Sequence, residues 1–161
     1  MSEIIDLAVR AGQALQEKNL MLATAESCTG GGVAQAVTEI AGSSAWFDRG
    51  FVTYSNAAKA ELLKVPEALI AQFGAVSEEV AGAMAKGAVM NSHAGIAVST
   101  TGIAGPGGAV PGKPVGTVCF GWASQHRSVT ERLVFAGDRQ AVREQAVAHA
   151  LQGLLRFLKE A

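Results

Sequence analysis

The segment Gly95-Ile96-Ala97-Val98-Ser99-Thr100 is of strand length and carries apolar residues on both of its faces, so both faces must be covered. A strand of that kind belongs inside a sheet with helices packed on either side, as central parallel strands are. The rest of the chain supplies those layers. Ile4, Ile5, Ala8, Ala11 and Leu15 recur on one face between Ser2 and Lys18, which predicts a helix with Ser2 as N-cap and Asn19 as stop. Met21 to Ala25 reads as a second short strand. Val33, Ala36, Val37 and Ile40 then recur at spacings of three and four, predicting a helix after Ser27 that ends near Gly42, followed by a turn at 43–46.

Phe47 to Tyr54 is a third strand, rich in residues suited to a pleated surface towards its end. Ser55 or Asn56 caps a short helix through Leu63, Pro66 opens another, and Ser77 caps a helix to about Met90. Ala81, Ala83, Ala85, Gly87 and Ala88 let that last helix lie close against a sheet. Val115 to Ala123 and Ser128 to Phe135 are joined across only four residues, as in an antiparallel hairpin. From Asp138 a long amphipathic helix runs to the terminus. Helices alternating with strands, then a hairpin, predict a three-layer α/β/α sandwich with a mixed, mostly parallel sheet.

The chain's 161 residues suit one domain over 1–161, and 49% hydrophobic against 17% charged residues are too apolar for disorder. Thirteen basic and fourteen acidic side chains give a formal charge of -1, which recommends neither nucleic acid nor a membrane surface as partner. A small neutral or anionic ligand remains. Cys28 and Cys119 form no disulfide framework and no zinc motif. The amino terminus is acidic where a secretory signal is basic, and no apolar run approaches the roughly 18 residues of a membrane span. The expectation is a cytoplasmic protein.

Chemistry points to Ala25-Glu26-Ser27-Cys28-Thr29-Gly30-Gly31-Gly32, which lies between a strand and a helix. Unpaired N–H groups at a helix start suit an oxyanion or a phosphate, and glycines let a ligand approach the backbone. Ser27 reads as a nucleophile or as an N-cap, and Cys28 as a competing thiolate or as a small buried thiol. His93, His126 and His149 adjoin neither glycine-rich loop, so a serine–histidine pairing has little support, although such sites assemble in space. Lys59 is either an ordinary exposed lysine or a base whose pKa is lowered by its place early in a helix and by burial. Tyr54, the sole tyrosine, stands at a strand end and can relay or donate a proton. Thr101 to Gly108 forms a second glycine-rich loop that can cradle phosphate, without a Walker pattern. Arg139 can add a cation there or pair with a carboxylate on the surface.

The strings AESCTGG (25–31), GFVTYSNAAK (50–59), GAVSEEV (74–80), TGIAGPGG (101–108), KPVGTV (113–118) and GDR (137–139) occur in this order. Together they resemble the CinA C-terminal domain family, and within it the stand-alone members that act as nicotinamide-nucleotide amidohydrolases. The resemblance implies hydrolysis of the carboxamide of nicotinamide mononucleotide to nicotinate mononucleotide and ammonia, in pyridine-nucleotide salvage. It implies a serine, a tyrosine and a lysine, which by motif are Ser27, Tyr54 and Lys59, with no metal and no cofactor. It also implies the three-layer fold and a homodimer. Substrate contacts are then expected from Thr29, Gly30 and Gly31, from Thr101, Gly102, Ala104 and Gly105, and from Arg139. A reading of another class is a non-catalytic nucleotide-binding domain with a regulatory or scaffold role.

Overall fold

A computed structural model describes residues 2–160, without the side chain of Ser2, so the cap expected of Ser2 lies outside the described residues. Among them, helix α1 (Ser2–Glu17) is followed by strand β1 (Leu22–Glu26), α2 (Gly32–Thr38) and β2 (Phe47–Val52). Three helices come next, α3 (Asn56–Leu63), α4 (Glu67–Phe73) and α5 (Glu78–Met90), then β3 (Ile96–Gly102), β4 (Thr117–Ser124), β5 (Ser128–Val134) and α6 (Arg139–Lys159). The strands form one sheet in the order β2-β1-β3-β4-β5. β1 is parallel to both β2 and β3, whereas β4 runs antiparallel to β3 and to β5. Only β4 is reversed, so the sheet is mixed and mostly parallel, as the alternation of elements predicts.

The two faces of the sheet differ in bulk. Leu22, Ile96, Val98, Val118, Phe120 and Trp122 point to one side and bury against α1, α2 and α6. Ala23, Ala25, Ala97 and Ala123 point to the other, beneath α5 with Leu63, Val65 and Ile70 of the neighbouring segments. Small residues there bring α5 very close. A Cβ on Gly121 would stand 2.5 Å from the Ala81 carbonyl oxygen, and Ser99 donates a 2.6 Å hydrogen bond to that same oxygen. On the bulky side, Trp122 Nε1 donates to the Ala150 carbonyl of α6 at 3.0 Å. These two helix layers around one sheet are the three-layer α/β/α sandwich.

One boundary departs from the sequence reading in a way that matters for the site. α2 begins at Gly32 rather than just after Ser27, and its N-cap is Gly31 in the left-handed region at φ 99°. Residues 27–31 form a tight turn instead, with Gly30 at φ 61° also left-handed, a conformation that costs glycine little. The reason is Glu26. Its buried carboxylate accepts from the Val33 N–H at 2.8 Å and the Ala34 N–H at 2.9 Å, occupying the helix start in place of a ligand or a serine cap. Ser27 is therefore not a helix cap. β3 also runs further than its apolar core, taking in Thr101 and Gly102.

Candidate active site

Parallel register ends β1, β2 and β3 at the same edge, where Glu26 stands opposite both Val52 and Thr100. The chain continues past that edge with Ser27 after β1 and Tyr54 after β2, while Thr101 and Gly102 finish β3. Ligands collect beyond the carboxyl ends of strands in sheets of this kind. A cleft of about 170 Å³ lies there, lined by Ser27, Tyr54 and Lys59 together with Thr101, Gly102, Ala104 and Arg139. Cys28, Asn56, Ala75 and Val76 line it too; the last three lie within the motif strings 50–59 and 74–80, although the sequence reading singles out none of them as a site residue.

Ser55 caps α3 by accepting from the Ala58 N–H at 3.0 Å, and Lys59 follows on the buried side of that helix. It is 1% exposed, so the exposed alternative does not hold. Its Nζ donates to the Thr53 carbonyl at 3.1 Å and the Tyr54 carbonyl at 3.2 Å, and lies 3.1 Å from Ser27 Oγ. Burial pushes its pKa below the ordinary 10.5, with the neighbouring Cys28 acting weakly the other way. A neutral lysine has two N–H bonds and one lone pair. Charged, the amine donates to both carbonyls and to Ser27 Oγ, whose own hydroxyl lies 3.4 Å from the Tyr54 carbonyl; once neutral, with its N–H bonds on the two carbonyls, it would turn its lone pair to that hydroxyl. That is the geometry of a nucleophile beside its base.

The neighbouring groups sort themselves by burial. Cys28 joins the apolar core, and burial pushes its thiol up to about 12, so of the two readings it is the buried thiol. Tyr54 contributes its main-chain carbonyl to Lys59, while the residue as a whole is 63% exposed. Arg139 bridges the rim, donating to the Gly105 carbonyl at 2.8 Å and to the Tyr54 hydroxyl at 3.3 Å. It makes no ion pair among the described residues.

Thr29, Gly30 and Gly31 do not line the cleft. The Thr29 hydroxyl donates to Glu26 at 2.6 Å and stands 2.8 Å from the Thr100 hydroxyl, and it is buried. Thr29 faces a larger cavity of about 340 Å³ between α1, α2 and α6, which contains none of Ser27, Tyr54 and Lys59. Of the histidines, His149 pairs with Glu131 and packs among Phe120, Trp122 and Phe135, a structural place. No three His, Cys, Asp or Glu side chains gather as a metal site among the described residues.

The CinA C-terminal domain family matches residues 5–158, nearly the whole chain. The chain belongs to the CinA C-terminal domain family. A nicotinamide-nucleotide amidohydrolase PncC of Pseudomonas putida is 54% identical over 157 residues, covering 98% of both chains. Its namesake in Escherichia coli K12 is 55% identical, covering 95% of this chain and 93% of the other. Among solved structures, the competence/damage inducible protein CihA of Agrobacterium tumefaciens superposes with a TM-score of 0.94 at 44% identity, over 98% of this chain and 96% of that one. This CinA-family fold accordingly extends through every element described above. No helix among the described residues is long and apolar enough to cross a membrane.

Proposed function

We propose that this CinA-family chain hydrolyses the carboxamide of nicotinamide mononucleotide, giving nicotinate mononucleotide and ammonia. The observation that carries the proposal is the buried Lys59 amine, fixed by two carbonyls, 3.1 Å from Ser27 Oγ at the strand ends. Relatives named nicotinamide-nucleotide amidohydrolase, similar over nearly their whole length, support the substrate.

In this mechanism neutral Lys59 takes the Ser27 proton as Oγ attacks the carboxamide carbon, and backbone N–H groups of the Ser27 turn hold the oxyanion. The protonated lysine then gives its proton to the nitrogen as the C–N bond breaks, releasing ammonia and leaving an ester on Ser27. Water, deprotonated by the same amine, attacks the ester and frees the acid. Tyr54 orients Lys59 through its carbonyl, and its phenol stands with Arg139 at the rim, where the arginine meets the phosphate. No metal or cofactor takes part. The reading extends to a homodimer acting in the cytoplasm on a small molecule, with neither nucleic acid nor membrane as partner.

Ammonia release from nicotinamide mononucleotide tests the proposal directly. Wild-type protein turns the nucleotide over, whereas Ser27→Ala, with an unchanged circular dichroism spectrum, releases none. Wild-type turnover by Ser27→Ala removes the serine mechanism. Calorimetric binding of the nucleotide by wild-type protein without any turnover removes the enzymatic reading altogether.

A further inference from the structure

Arg139 and Arg143 lie four residues apart on α6 and so share one side of the helix. Arg139 reaches the rim of the cleft, and Arg143 reaches the back of the Ser27 turn. Arg143 Nε donates to the Cys28 carbonyl at 3.2 Å, and its Nη2 donates to the Thr29 carbonyl at 3.4 Å. Among the described residues the Cys28 carbonyl has no other donor, whereas the Thr29 carbonyl also accepts from the Gly32 N–H. Gly30 leaves room for the guanidinium, since a Cβ there would stand 3.1 Å from Nη2.

The N–H groups of the turn complete the pattern. Gly30 N–H donates to the Ser27 carbonyl at 3.0 Å, but the Thr29 N–H meets no acceptor among the described residues. In a trans peptide the C=O and N–H point in opposite directions, so a guanidinium on the Cys28 carbonyl turns the Thr29 N–H away from itself. It also polarises that peptide and strengthens the N–H as a donor. The Thr29 side chain and carbonyl have other partners, but the Cys28 carbonyl has only Arg143, and two left-handed glycines follow.

We propose that Arg143 is a positioning residue: by holding the Cys28 and Thr29 carbonyls it fixes the turn and presents the free Thr29 N–H to the oxyanion that forms when Ser27 attacks. The inference rests on the serine mechanism above and adds a residue that never touches substrate. Its test must therefore report on the oxyanion rather than on the nucleotide. A fluorophosphonate serves, because Ser27 Oγ forms a bond to phosphorus, fluoride leaves, the hydroxyl proton passes to Lys59, and charge builds on the phosphoryl oxygen.

Labelling of Ser27 is followed by intact mass in wild-type protein, Arg143→Ala, Arg143→Lys and Arg156→Ala, the last an arginine of α6 whose partner is Glu131. The expected result is labelling about 10- to 100-fold slower in Arg143→Ala, partly restored by millimolar guanidinium, with Arg156→Ala at the wild-type rate. On nicotinamide mononucleotide the same variant should lose kcat by a similar factor while KM stays within about threefold. Should Arg143→Ala fail to fold, Arg143→Lys carries the comparison, since a single ammonium cannot serve both carbonyls as the planar fork does. Wild-type labelling in these variants overturns the proposal, and so does an equal loss in Arg156→Ala. A wild-type protein that labels at Ser27 yet leaves the nucleotide untouched removes that substrate and leaves Arg143 in place. No labelling of wild-type Ser27 removes both.

Discussion

The Glu26 carboxylate stands on the first turn of α2, its Oε1 2.8 Å from the Val33 amide nitrogen, and the next residue along the chain is Ser27. One short segment thus caps a helix and carries the proposed nucleophile. Thr29 adds a 2.6 Å hydrogen bond to the same oxygen and meets Thr100 of β3, so the turn is tied to both neighbouring elements.

Glu26→Ala removes three hydrogen bonds to a buried carboxylate and leaves buried N–H groups without an acceptor. Each such charged bond contributes about 1.5–3 kcal/mol, so the loss of stability should be at least about 3 kcal/mol. Glu26→Gln, which keeps one good acceptor, should lose less. Urea denaturation of the two variants checks the order.

Lys59 has a folded-state pKa below its unfolded value because burial disfavours the charge. Between those two values the unfolded chain binds more protons than the folded one, so stability should rise with pH there and lose that rise in Lys59→Met. Activity should follow the neutral amine. A plot of kcat/KM against pH should climb to a plateau with a midpoint below the ordinary 10.5, and Lys59→Met should be inactive at every pH.

Arg139→Ala removes a cation that faces the cleft without an ionic partner among the described residues. A charge-assisted bond of about 1.5–3 kcal/mol corresponds to a rise in KM for the mononucleotide of about 10- to 150-fold, with kcat little changed. The riboside, lacking phosphate, should be nearly indifferent. Equal losses on both would move Arg139 from substrate binding to holding Tyr54 and Gly105.

Cys28→Ala should keep most of the activity, since a buried thiol pushed up to about 12 supplies no thiolate near neutral pH. Iodoacetamide should likewise leave the folded wild-type protein active. Loss of turnover in Cys28→Ala with Ser27→Ala still active would transfer the nucleophile to sulfur.

Gly87→Ala should be among the most damaging small substitutions in the chain. Its Cβ would fall 2.0 Å from the Leu63 carbonyl oxygen, where α5 meets the end of the helix carrying Lys59. Overpacking of this kind costs about 1–3 kcal/mol, and thermal unfolding should show it. Because α3 must shift, kcat should fall as well.

Much of this architecture was legible in the linear sequence because its causes are local or periodic. The apolar faces of Ile96 to Val98, the helix spacings, the Ser55 and Ser77 caps and the short hairpin connection each depend on a few neighbouring residues, and each expected element is present, although α2 is shorter, Gly32–Thr38, than the spacing from Ser27 to Gly42 predicted. The motifs around Ser27, Tyr54 and Lys59 were visible too. Folding decided what those residues meet. The acceptors that hold Lys59 are main-chain carbonyls, which every residue carries, so no residue type announces them. Arg143 reaches Cys28 across 115 positions, a pairing that only the packing of α6 beside the turn creates. Glu26 looked like one more acidic residue until the turn at Gly30 and Gly31 brought α2 back onto it. Side-chain chemistry is written residue by residue, but burial and distance belong to the assembled layers, and here they set the Lys59 amine beside Ser27 Oγ, bury the thiol and leave Arg139 facing the cleft.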